Sequence, residues 1–76
     1  MSVVLHLPHA IRIKVAQRLA GIERAEDLNA LERAQERAEG FVEGVEAAGA
    51  LTAATIDALF IAVDNVATDR RQELTA

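Results

Sequence analysis

Seventy-six residues allow one domain at most, and a chain this short is marginal unless a disulfide, a metal or a second subunit supports it. With no cysteine and two histidines, disulfides and thiolate metal sites are excluded and self-association is the device that remains. The net charge of −4 is opposite in sign to that of most nucleic-acid binders, and no run approaches the roughly 18 apolar residues of a membrane span, so neither nucleic acid nor membrane is an expected partner.

Apolar residues make up 51% of the chain, yet only Phe41 and Phe60 are aromatic. Alanine supplies much of the rest, and alanine carries the smallest helix penalty. Seven arginines stand against one lysine, which with the abundant alanine points to a bacterial source rich in G and C. The N-terminus lacks the charged region of a secretory signal, so a cytoplasmic protein is expected.

In chain order, residues 1–7 read as an extended arm. Val3, Leu5 and Leu7 alternate with Ser2, Val4 and His6, the period-two pattern of a half-buried strand. No second strand candidate exists to pair with it. The expected solutions are pairing with its own copy across a two-fold axis, or packing of the arm on the helices.

Helices are predicted over residues 8–20, 25–48 and 53–74, which makes residues 1–76 a single helical domain. Pro8 suits a first helical turn, and Gly21 reads as the residue that closes the first helix. Ile11, Val15 and Leu19 form its apolar stripe. In the second helix Leu28, Leu31, Ala38, Val42 and Val45 alternate at three and four, widened by Ala34 and Phe41. Gly49 then ends that helix and Thr52 caps the third, with Leu51 and Ile56 at the two positions of a hydrophobic staple. So short a connection makes the helices antiparallel neighbours. Ile56, Leu59, Val63 and Val66 are the facing stripe. The expected fold is therefore all-α: a small three-helix unit built on an antiparallel helical hairpin, with a short strand-like arm, and dimeric.

Two isoleucines fall outside this core. Ile61 lies about 160° around its helix from Val63, on the side of Ala54 and Ala58, and Ile13 stands as far from Val15, near Ala16 and Ala20. A helix that is apolar nearly all round buries two sides. Val3, Leu5, Ile13, Ala54, Ala58 and Ile61 are accordingly the expected oligomer interface.

The chief polar feature is a row of glutamates. Glu32, Glu36, Glu39, Glu43 and Glu46 repeat at four, three, four and three residues along one flank of the second helix, with Arg33 and Arg37 on the other. Like charges at these spacings oppose one another by a few tenths of a kcal/mol per pair. The row reads as a face solvated or matched by Arg12, Lys14, Arg18, Arg70 or Arg71. It also reads as a docking surface for a basic protein, or as a source of carboxylates for a metal. Against the last, the Glu-x-x-His motif of di-metal bundles is absent. Arg70, on the apolar-stripe side of the third helix, is expected to reach a carboxylate on the second.

Catalysis is not expected. His6 and His9 flank Pro8 with no third His or Cys beside them, and the single serine is Ser2. None of the phosphate-loop, dinucleotide, nucleophile-elbow or H-E-x-x-H motifs occurs. No catalytic residue, cofactor or metal ligand is assigned.

A strand ending in "LHLP", a helix closing at "LAG" and a second helix a few residues on resemble the ribbon-helix-helix family of dimeric repressors and antitoxins, over Val3 to Gln35. The resemblance implies strand-swapped dimers whose outward strand residues read bases in the major groove. The matching positions here are Ser2, Val4 and His6, none of them a side chain suited to bidentate base contacts. The long acidic second helix and the third helix also depart from that family. The function expected from the residues is thus that of a non-catalytic regulator, adaptor or inhibitor binding protein through an acidic and apolar helical surface. The alternative is a dimeric DNA-binding repressor or antitoxin.

Overall fold

The computed structural model describes residues 6–76. Val3 and Leu5, with most of the expected arm, lie outside the described residues. Three helices follow: α1 (His9–Glu23), α2 (Leu28–Ala48) and α3 (Ala53–Thr75), and every pair of them is in contact. The fold is all-helical, with no strand among the described residues.

The α2–α3 connection is built by local chemistry. Gly49 sits at φ 70°, the left-handed conformation that glycine enters without a Cβ penalty, and its N–H donates to the Glu46 carbonyl at 3.0 Å. Thr52 then caps α3, its hydroxyl oxygen accepting from the Thr55 N–H at 3.2 Å. Leu51 packs against the core and Ile56 is inside it. At the far end the Arg70 Nε–H donates to the Ala25 carbonyl, 2.8 Å away in the loop before α2. The end of α3 thus lies beside the start of α2, so the pair is antiparallel.

Val15 and Ile22 from α1, Leu31, Ala38, Val42 and Val45 from α2, and Ile56, Leu59, Val63 and Ala67 from α3 form the core, with Leu7 and Ala25 closing it from the connecting segments. Among the described residues, no charged or polar residue is buried with them. Ile11, Leu19 and Val66 lie at its margin, half-buried.

Two boundaries differ by three residues from the sequence reading, and one cause explains both. The first helix passes through Gly21 and ends at Glu23, because Ile22 extends the Val15–Leu19 stripe and is completely buried. Burying an isoleucine contributes about 1.5–3 kcal/mol, whereas a mid-helix glycine costs about 1 kcal/mol relative to alanine. Burial wins, and the helix runs on. The loop is displaced to match: Asp27, not a residue near Ala25, caps α2, its Oδ1 accepting from the Ala30 N–H at 2.7 Å. Pro8 sits just outside α1 as its cap residue, and its carbonyl accepts from the Arg12 N–H at 2.8 Å.

Candidate functional site

The surface of α2 is divided by charge. Its glutamate flank turns toward α3, where Leu28, Glu32, Gln35, Glu36 and Glu39 share a shallow depression with Arg71. Glu43 and Glu46 continue the row along the exposed face. Its arginine flank, Arg33 and Arg37, turns toward α1.

None of the five glutamates is held by a cation among the described residues, where the one ion pair joins Arg70 to Glu73 at 3.5 Å. Of the cations expected to match the row, Arg12, Arg18, Arg70 and Arg71 each make other contacts. Arg12 lies 3.2 Å from His9 Nδ1, and Arg18 lines a groove between α1 and α2. Arg70 corrects its expected role: it bonds the Ala25 carbonyl rather than a carboxylate on α2. Arg71 enters the acidic depression, yet its terminal amine donates to Gln35 Oε1 at 3.2 Å.

Leu28 was expected in the core stripe and is instead 49% exposed. The reason is angular, since at 100° per residue Leu28 falls only about 20° from Glu39, on the glutamate flank. The depression therefore has an apolar foothold, Leu28, ringed by unpaired carboxylates.

Of the residues expected at an oligomer interface, Ile13 and Ile61 are 42% and 60% exposed. Ala54 is exposed and Ala58 half-buried. They are not brought into one surface: Ile13 points away from the core on α1 and Ile61 does so on α3. Val3 and Leu5 lie outside the described residues. His6 and His9 are exposed, and among the described residues no three His, Asp or Glu side chains gather as metal ligands would. No described helix is long and apolar enough to cross a membrane.

Sequence reasoning missed a second charged surface. Arg18 and Arg24 of the first helix and its end meet Arg33 and Arg37 of α2 around a floor of Gly21 and Ala34. Arg33 and Arg37 were legible as a flank. Arg24 was not, because ending the first helix at residue 20 removed it from the helical surface. Comparison with protein-family models, with curated proteins and with solved structures finds no match to this chain.

Proposed function

We propose that this protein acts by binding another protein through the glutamate flank of α2, as a small non-catalytic regulator, adaptor or inhibitor. One observation carries the reading: an exposed Leu28 set among Glu32, Glu36 and Glu39, none of which is ion-paired among the described residues. A partner that offers an apolar side chain surrounded by Lys or Arg would fill both needs. The apolar contact would supply affinity, and the charges would supply steering and register. Self-association is part of the same proposal, through Ala54, Ala58 and Ile61 on α3, since Ile13 faces another direction on α1.

Affinity capture from the source cell tests the partner surface, comparing the native chain with Glu36→Lys/Glu43→Lys and with Leu28→Ser. The expected result is a protein retained by the native chain at moderate salt and lost with both variants, whose circular dichroism and melting remain native. Retention that ignores both changes would leave the flank as solvated surface.

A further inference from the structure

The groove between α1 and α2 has the opposite character to the acidic depression, and nothing in the proposal above uses it. Arg18, Arg24 and Arg37 line it together with Gly21 and Ala34, and Arg33 extends it along α2. Four of the chain's seven arginines are thus gathered at one place in a protein whose net charge is −4. None of the four pairs with a carboxylate among the described residues. The acids that line it, Glu26 and Asp27, lie at its loop end, and Asp27 Oδ1 accepts the cap bond from the Ala30 N–H. No ion pair among the described residues offsets the mutual repulsion of these guanidinium groups.

Arg18 adds an independent sign. Its Nε is buried and lacks any hydrogen-bond partner. A buried donor left unsatisfied is destabilising, and few native structures keep one without a use. Swinging the guanidinium outward into the groove would let Nε and a terminal amine bond an oxyanion side by side, the bidentate geometry for which arginine is suited. Gly21 and Ala34 leave open space on the floor, where a Cβ built at Gly21 meets nothing within 4 Å.

We propose that this groove binds a compact phosphate-class anion, with Arg18 and Arg37 as its main ligands from opposite walls and Arg24 and Arg33 at its margins. Several guanidinium forks converging from two helices suit a tetrahedral, multiply charged group better than a single carboxylate. Binding would also join α1 to α2 and so stabilise the bundle.

Inorganic pyrophosphate is the probe. Thermal melting of the full chain is followed during titration with pyrophosphate, against sodium chloride and sulfate at matched ionic strength. A saturable rise in melting temperature specific to pyrophosphate is expected, with apparent affinity at least tenfold weaker in Arg18→Gln/Arg37→Gln and unchanged in Arg71→Gln. Should the first variant fail to fold, Arg24→Gln/Arg33→Gln, at exposed positions, is expected to weaken the response several-fold. An equal rise with chloride, or full affinity in the arginine variants, overturns the proposal. So does duplex DNA retained through these arginines at physiological salt while pyrophosphate has no effect, since the ligand would then be nucleic acid.

Discussion

Ile22 shows how one side chain settles a boundary. It is fully buried beside Gly21, and its packing is what carries α1 past a residue that commonly ends helices. Ile22→Ala should therefore destabilise by about 2–5 kcal/mol, the range for deleting a buried isoleucine side chain. Urea denaturation will read this directly; a loss under 1 kcal/mol would mean that the end of α1 is only loosely packed. The reverse effect is expected at Gly40 and Gly44. Both lie within α2, and a Cβ built at either meets nothing within 4 Å. Alanine there limits the unfolded chain without a clash, so each of Gly40→Ala and Gly44→Ala should add about 0.4–1 kcal/mol. In a domain of this size that is several degrees in melting temperature. Arg70 belongs to the same scale. Its bond to the Ala25 carbonyl ties α3 to a loop in which Ala25 itself is buried, and Arg70→Ala should remove about 1–2 kcal/mol.

Among the helices, α1 is the least secured. It is the shortest at 15 residues and has no side-chain cap at Pro8. By contrast α2 and α3 run 21 and 23 residues and are capped by Asp27 and Thr52. An isolated helix of about 15 residues is marginal in water, so α1 depends on packing. Native-state hydrogen exchange should find the amides of Arg12 to Leu19 less protected than those of Ala38 to Val45; equal protection would show that the three helices open only together. The α2–α3 hairpin was legible because each of its parts has a local cause: a left-handed glycine, a threonine cap and two stripes at helical spacing. The glutamate flank was legible for the same reason, since 100° per residue converts spacing into a face. The α1–α2 junction was not. There a local stop signal at Gly21 competed with a non-local gain, the burial of Ile22 and Ala25, and only the packed structure shows which is larger. The arginine groove was hidden by that same error, for it exists only when α1 extends far enough to place Arg24 opposite Arg33 and Arg37.

At the scale of the whole molecule, three large apolar residues among those described stay exposed: Ile13, Leu28 and Ile61. The core takes Val15 and Ile22 from α1 and Ile56, Leu59, Val63 and Ala67 from α3, which leaves Ile13 and Ile61 on the outer faces of those helices. Single exposed isoleucines are ordinary, but Ile61 shares its side of α3 with Ala58 and Ala54, one and two turns before it, small residues that let a second helix approach closely. Two copies meeting along α3 would cover both strips at once, whereas Ile13, on α1, faces another direction and need not take part. The two residues therefore separate the possibilities. Light scattering across a micromolar to millimolar series is expected to show a dimer for the native chain, a monomer for Ile61→Ser, and a dimer for Ile13→Ser, with native helix content in all three. If Ile13→Ser alone dissociates the protein, the contact runs along α1. A native chain that stays at 8.2 kDa throughout the series would show that the strip on α3 is simply water-facing, and self-association would then have no place in how this protein works.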